Sequence, residues 1–196
     1  MRNNEQIRSL FQKVCSDDMQ AYNELYLALC QQLLHFSAAI VSSFHLAEEV
    51  VSDVFVTLWQ KRHQLSHVEN PVVYLYVITK NLSLNTLQQQ RRHLHENLEL
   101  LDTAALIIAP DAESSMISAE VSQKIESAIR SLPARCQLIF RLVKHDRLSY
   151  REVADLLNIS PKTVDAQLAT AVKKISQAVR FDLSSELAKS YLHLDS

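Results

Sequence analysis

The chain has 196 residues, of which 47% are hydrophobic and 21% are charged, with a formal net charge of -2 at pH 7. This composition is typical of a globular protein of one or two domains and excludes a disordered or collagen-like chain. The sequence contains no glycine, although glycine averages about 7% of residues and is used heavily in hairpins and phosphate-binding loops. We therefore expect an all-α protein.

No apolar run approaches the roughly 18 residues that span a membrane, and the N-terminus lacks the apolar core of a signal peptide. We expect a cytoplasmic protein without direct membrane insertion. The three cysteines, Cys15, Cys30 and Cys136, lie in apolar helical contexts, which favours reduced thiols. His63 and His67 are four residues apart but lack a third ligand at a recognisable spacing, so we expect no metal and no other cofactor.

Hydrophobic periodicity predicts four helices in the first half of the chain, near residues 4–15, 19–41, 46–63 and 71–94. In the third helix, Glu49 and Asp53 lie four residues apart beside Ser52, opposite a wide apolar face. Acidic residues stabilise a helix N-terminus, which explains Glu49. Asp53 lies a full turn further in, so its position is less well explained by this effect.

The fourth helix begins with Asn70 as a cap and Pro71 in the first helical position. One stripe of this helix carries an aromatic ring, amides and a cation, supplied by Tyr74, Asn81, Asn85, Gln88 and Arg92. Such groups stack on unpaired bases, hydrogen-bond to base edges and neutralise phosphates. A solvated helix face explains the same stripe equally well.

Residues 96–117 contain five acidic residues and no basic one, include Pro110 and lack a sustained helical stripe. We interpret them as an acidic linker between two helical domains, 1–95 and 118–181, followed by a C-terminal tail over 182–196. The apolar stretch "AALIIA" in the linker either docks on a partner or packs on its own domain.

Four further helices are predicted near residues 116–131, 134–145, 149–157 and 161–180. Ser149 and Glu152 have the spacing of a capping box at the third of these helices. Ser160 followed by Pro161 starts the fourth. Asn158 is the candidate for a left-handed turn position between them, since asparagine tolerates positive φ.

Two short helices joined by a tight turn are typical of a DNA-binding helix-turn-helix. The outward face of the last helix is small, polar and basic, and it carries Lys162, Ala166, Ala169, Thr170 and Lys173, flanked by Asp165 and Gln167. Residues 118–181 carry eleven Lys and Arg against six Asp and Glu, an excess expected of a unit that meets phosphates. An ordinary helical hairpin in a larger core produces the same helical pattern.

Five segments in order resemble an extracytoplasmic-function (ECF) sigma factor of bacterial RNA polymerase. They are "AYNELY" (21–26), "AEEVVSDVFVTLW" (47–59), "YLYVITKNLSLNTLQQQRR" (74–92), "SLPARCQLIFRL" (131–142) and "LSYREVADLLNISPKTVDAQLATAVKKI" (148–175). The "LPARC" and "ISPKTV" segments are similar to those of Bacteroidetes members, which are often paired with a membrane anti-sigma factor. The resemblance implies an anti-sigma partner for this chain and no catalytic residue.

The resemblance also implies a role for each exposed helix face. Core RNA polymerase is expected to bind Glu49, Ser52 and Asp53. The -10 element of promoter DNA is expected to be melted and bound by Tyr74, Tyr76, Lys80, Asn81, Asn85, Arg91 and Arg92, with the two asparagines reading flipped bases. The -35 element is expected to be read by Lys162, Asp165, Ala166, Gln167, Thr170 and Lys173.

The chain departs from the family pattern at several positions. Leu46 replaces an aspartate that usually precedes the "AE" of the polymerase-binding helix, so the cap of that helix must come from Ser43 or be absent. Asp165, Gln167 and Thr170 stand where the family often has basic residues. A stand-alone helix-turn-helix regulator is the alternative function, although it needs a sensor or receiver domain, and the first half shows no βα alternation.

Overall fold

The computed structural model describes the backbone of residues 4–95 and 119–179, and within them the side chains of 4–90 and 125–177. The described residues are helical and contain no strand, as the all-α prediction requires. The helices are α1 (Asn4–Cys15), α2 (Met19–Val41), α3 (Phe44–Lys61), a 3-10 helix (Arg62–Gln64), α4 (Pro71–His95), α5 (Ala119–Arg130), α6 (Ala134–Lys144), α7 (Tyr150–Leu157) and α8 (Pro161–Val179). The predicted acidic linker with its "AALIIA" stretch and the predicted C-terminal tail lie outside the described residues.

Helix α3 begins two residues earlier than the sequence pattern predicts. Its cap is Ser43, whose Oγ accepts a hydrogen bond from the Leu46 N–H at 3.5 Å. Of the two alternatives that the sequence left open, the structure therefore supports a cap from Ser43. Because that cap lies before Phe44, the helix includes Phe44 and His45 in its first turn.

The chain divides into two compact units, with α1 to α4 in the first and α5 to α8 in the second. In the first unit, α2 packs against α1, α3 and α4. Its core contains aromatic rings in edge-on contact, such as Phe36 and Tyr76, whose centroids are 5.0 Å apart. The exposed sides of α3 and α4 are thereby mounted on one hydrophobic core.

Helix α2 is long and apolar enough to cross a membrane by length and composition, contrary to the sequence-based expectation. In the structure it is a central helix, with Leu25, Leu29 and Leu33 buried against its neighbours. Its Ser37 hydroxyl forms a 2.9 Å hydrogen bond with the Ser83 hydroxyl of α4. Packing on three other helices explains the buried part of its apolar surface, whereas Leu27 is 76% exposed.

In the second unit, α8 packs against α5, α6 and α7. The predicted capping box is present: the Ser149 N–H donates to Glu152 Oε2 at 2.7 Å, and the Glu152 N–H donates to Ser149 Oγ at 3.3 Å. Asn158 ends α7 in the left-handed conformation, with φ 53° and ψ 52°. The helix-turn-helix geometry predicted from these local signals is therefore confirmed.

The cysteines are free thiols, and Cys136 is buried in the core of the second unit. Burial raises the pKa of the Cys136 thiol, and the nearby Lys174 charge opposes that rise. Within residues 4–95 and 119–179, no group of three or more His, Cys, Asp or Glu is arranged to hold a metal ion. His63 instead lies 3.4 Å from a carboxylate oxygen of Asp17.

Candidate nucleic-acid and protein interfaces

Helix α3 presents an acidic stripe formed by Glu49, Ser52 and Asp53, all of them exposed. The opposite side of the helix is buried. His45 Nδ1 lies 3.3 Å from Glu49 Oε1, with side chains that are 81% and 59% exposed. A contact between side chains this exposed contributes little to stability. The acidic stripe is thus a solvent-facing surface that the fold does not need for its own packing.

The C-terminal end of α3 is fixed by aromatic and charged contacts. The Arg62 guanidinium lies 4.1 Å from the centroid of the Trp59 ring and pairs with the Asp17 carboxylate of the turn before α2. Trp59 meets Tyr22 of α2 edge-on at 5.1 Å. A cation over an aromatic face contributes about 0.5–2 kcal/mol. These contacts hold α3 against α2, so the acidic stripe is presented on a fixed helix.

Helix α4 presents an amide stripe formed by Asn81, Asn85 and Gln88, all exposed and spaced four and three residues apart. Lys80, beside this stripe, is half-buried. Tyr74 is half-buried as well, and its ring meets Phe11 of α1 edge-on at 6.2 Å. Burial and, second, the nearby Cys15 raise the pKa of the Tyr74 hydroxyl. The amides therefore lie in solvent, while the tyrosine is partly engaged in packing.

Tyr76 does not belong to this exposed face, so the structure gives no support to its predicted contact with DNA, which stays a prediction. Its side chain is 0% exposed, as are those of Leu75, Thr79 and Ser83 on the same side of α4. These residues recur at helical spacing and form the core face. Thr79 and Ser83 are polar, which hid the pattern in the sequence. Thr79 is accommodated because its hydroxyl donates to the Leu75 carbonyl at 2.7 Å.

The last turns of α4 carry Arg91 and Arg92, whose side chains lie outside the described residues. Their assignment to DNA phosphates stays a prediction. The described part of the stripe is therefore neutral and amide-rich, with Val77 and Leu84 exposed beside it at 37% and 47%.

Helix α8 presents a reader face, which we define as Lys162, Asp165, Ala166, Ala169, Thr170 and Lys173, all exposed. Its opposite side is buried through Val164, Leu168 and Ala171. The Thr170 hydroxyl donates to the Ala166 carbonyl at 2.9 Å. The reader face thus combines two lysines, a carboxylate, two methyl groups and a hydroxyl whose proton is already engaged.

Gln167 lies between the reader face and the core rather than on the face itself. It is half-buried, and its backbone carbonyl accepts a 3.2 Å hydrogen bond from Cys136 Sγ of α6. Five of the six predicted -35 residues are exposed on one side of α8. Gln167 is the exception.

Tyr150 is a surface residue of the second unit that sequence reasoning missed. It is the first residue of α7 and is 39% exposed. Its hydroxyl pKa is raised by partial burial and, second, by the charge of Asp165. Tyr150 and Asp165 lie on different helices, α7 and α8, so the sequence offered no signal for this electrostatic influence.

Two protein families match the chain. Sigma-70 region 2 matches residues 25–93, and Sigma-70, region 4 matches residues 122–175. The first match contains the acidic and amide stripes, and the second contains the reader face.

Curated relatives align along most of the chain. The ECF RNA polymerase sigma factor SigW of Bacillus subtilis (strain 168) is 22% identical over 183 residues, 90% of this chain and 94% of SigW. The ECF RNA polymerase sigma-E factor of Escherichia coli (strain K12) is 24% identical over 178 residues, 87% of this chain and 93% of that protein. The Bacteroidetes-like affiliation stays a prediction.

The fold is also similar to that of a solved structure. In the co-crystal structure of the sigma factor RpoE with the anti-sigma factor NepR from Bartonella quintana, RpoE superposes with a TM-score of 0.58 at 17% identity. The superposition covers 84% of this chain and 100% of that one. The first unit contains the match to Sigma-70 region 2, where a stand-alone regulator needs a sensor domain. From the two ordered matches and its relatives, this chain belongs to the ECF sigma factors, the alternative sigma factors that direct RNA polymerase to begin transcription.

Proposed function

We propose that this sigma factor divides its work among three helix faces: the acidic stripe binds core RNA polymerase, the amide stripe captures the melted -10 element, and the reader face recognises the -35 element. One observation carries the proposal. The first unit exposes carboxylates on α3 and neutral amides on α4, two chemistries that suit two different partners. The protein acts as an initiation factor and not as an enzyme.

Electrostatics supports the polymerase assignment. Asp53 is exposed at mid-helix, so its charge is not explained by the helix N-terminus. An exposed carboxylate contributes most to recognition when the partner surface is basic. We therefore assign the acidic stripe to a basic surface of core RNA polymerase.

Promoter DNA supplies partners for the other two faces. Amides can hydrogen-bond to the edges of unpaired bases, and flipped bases offer these edges in full. Lysines separated by most of the length of a helix can contact phosphates on either side of a groove. Tyr74, Lys80, Arg91 and Arg92 extend the proposed -10 surface.

A charge reversal tests the division of roles. Asp53→Lys should abolish or strongly weaken binding to purified core polymerase in a pull-down, while the free protein keeps its helicity and melting temperature. Glu48→Lys is the matched control, because Glu48 is exposed on the same helix but lies about 140° around it from Asp53. Undiminished binding by Asp53→Lys, or an equal loss in both variants, would remove the assignment of the acidic stripe.

We further propose an anti-sigma factor as a regulatory partner and the cytoplasm as the site of action. The similar RpoE chain was crystallised with an anti-sigma factor, and transcription takes place where the chromosome lies. Copurification of the full chain from its own cells, before and after an envelope stress, tests the partner. Recovery of core polymerase alone under both conditions would contradict it.

A further inference from the structure

We propose that the middle turns of the reader face contact -35 base edges through hydrogen-bond acceptors: Asp165 and Thr170 accept from base amino groups, cytosine N4 or adenine N6, in the major groove. This inference rests on the proposed role of α8 in reading the -35 element. It concerns which bases this particular chain prefers.

The first argument comes from Thr170. A threonine hydroxyl carries one proton and two acceptor lone pairs. The Thr170 proton is engaged, because the hydroxyl donates to the Ala166 carbonyl at 2.9 Å. An exposed Thr170 therefore offers DNA only a lone pair and a methyl group. It cannot donate to the O6 and N7 acceptors of guanine while this bond persists.

The second argument comes from Asp165, which is exposed on the same face. An ionised carboxylate accepts hydrogen bonds and donates none. Close to phosphates it would be repelled, whereas over the base edges it can accept from the cytosine N4 amino group. We therefore place Asp165 above base edges and away from the DNA backbone.

The third argument is the distribution of the donors. Lys162 and Lys173 lie at the two ends of the reader face, about 16 Å apart along the helix axis. Ala166 and Ala169 lie between them and are exposed, so the helix can approach the bases closely. The Ala166 methyl group can also contact a thymine C5-methyl. Donors thus flank the face and suit phosphates, while its centre carries acceptors and methyl groups.

The test uses the full chain in holoenzyme with core RNA polymerase. Promoters with a randomised -35 region are transcribed in vitro, and the enriched sequences are read from the transcribed templates. The wild-type protein should show a preferred base pair at two positions of the -35 region.

Two isosteric variants assign those positions. Asp165→Asn adds a donor and should change the preferred base at one position only, with a shift of roughly 5- to 150-fold in relative selection. Thr170→Val keeps the shape and the methyl group but removes the acceptor, and it should lose discrimination at the second position only. Thr170→Ser keeps the hydroxyl and should retain that preference.

The matched control is Asp155→Asn, the same loss of charge at an exposed position of α7, and it should leave the preferences unchanged. A base preference that neither Asp165→Asn nor Thr170→Val changes, or an Asp165→Asn variant that gains equally on every template, would overturn the proposal while leaving the -35 role in place. A wild-type holoenzyme indifferent to the upstream sequence would overturn the -35 role itself, and the proposal with it.

Discussion

Helices α4 and α8 begin with the same type of side-chain N-cap, but their exposed faces carry different side chains. In α4 the Val73 N–H donates to Asn70 Oδ1 at 3.2 Å, and in α8 the Thr163 N–H donates to Ser160 Oγ at 3.0 Å. A proline follows each cap. Beyond this start, α4 exposes amides and α8 exposes lysines, a carboxylate and small side chains. The start satisfies backbone N–H groups that every helix has, whereas the exposed face is free to suit a ligand.

The largest effect is expected when the exposed amides of α4 are removed. The double variant Asn81→Ala and Asn85→Ala should reduce open-complex formation on duplex promoters by more than roughly tenfold, because captured bases lose their partners. Binding to core polymerase should be retained. Permanganate footprinting measures the melted region, and pre-melted templates should partly rescue the variant, since they no longer need strand separation.

Asn23→Ala, which removes an exposed amide from α2, is the control for this experiment. It should melt promoters normally. If the double variant also melts them normally, the amide stripe is an ordinary solvated face, as the sequence alone allowed.

A smaller effect is expected on the α8 side. Lys162→Ala and Lys173→Ala should each weaken promoter binding several-fold on every sequence, because each removes one phosphate contact. The slope of log K against log salt should decrease in magnitude by about one for each. Filter binding of holoenzyme across a salt series measures this slope.

Lys174→Ala provides the comparison for both lysines. Lys174 is exposed and adjacent to Lys173, but it lies a further 100° around α8. Its removal should leave the slope unchanged. A loss of base preference in the Lys162 or Lys173 variants would instead assign these lysines to base edges.

Because α4 and α8 have the same type of N-cap, we expect equal and moderate losses of stability when either cap side chain is removed. Asn70→Ala and Ser160→Ala should each lower the free energy of unfolding by about 1 kcal/mol, the usual cost of losing a cap. Urea unfolding followed by circular dichroism measures both. Ser9→Ala, at an exposed position inside α1, should change it by less than about 0.5 kcal/mol. A loss no larger than that of Ser9→Ala would show that the caps are dispensable.

The smallest effect concerns the turns on either side of α7. Arg147 and Asn158 both have positive φ, 56° and 53°. Arg147→Gly should stabilise the chain by up to about 1 kcal/mol, whereas Asn158→Gly should change it by only a few tenths, because asparagine already tolerates this conformation. The same urea titration ranks the two variants, and an equal gain in both would contradict the argument.

The local part of this fold was predictable from sequence because its causes are local. Ser149, Glu152, Asn158 and Ser160 each act on backbone groups within four residues, and the structure confirms their roles. The helix bounds follow from the same signals. Ser43 marks the limit of prediction from local sequence. Its residue type allowed either a cap or no cap, and the choice depended on the backbone conformation around Phe44.

The exposed faces were predictable where the buried side of the helix is a clear apolar stripe, as in α3 and α8. Asn81 and Asn85 were placed correctly in solvent, but Tyr76 was not, because polar residues on the core face disguised its periodicity. Gln167 depends on a contact between helices, with Cys136 of α6. Such contacts are set by tertiary packing, which a pattern along one helix does not contain.

In the described parts of the chain, 4–95 and 119–179, four residues have positive φ, namely Asp17, Ser42, Arg147 and Asn158, and none of them is glycine. Each of these turns costs the native state up to about 1–2 kcal/mol relative to a relaxed backbone, least for asparagine and aspartate. The same absence of glycine acts on the unfolded chain, because every residue with a Cβ samples fewer backbone conformations there. At compatible sites, having another residue in place of glycine stabilises the native state by about 0.4–1 kcal/mol, because less conformational entropy is lost on folding. The backbone strain at these four turns destabilises the native state. It is offset by the lower conformational entropy of the unfolded chain, an effect that extends over all 196 residues.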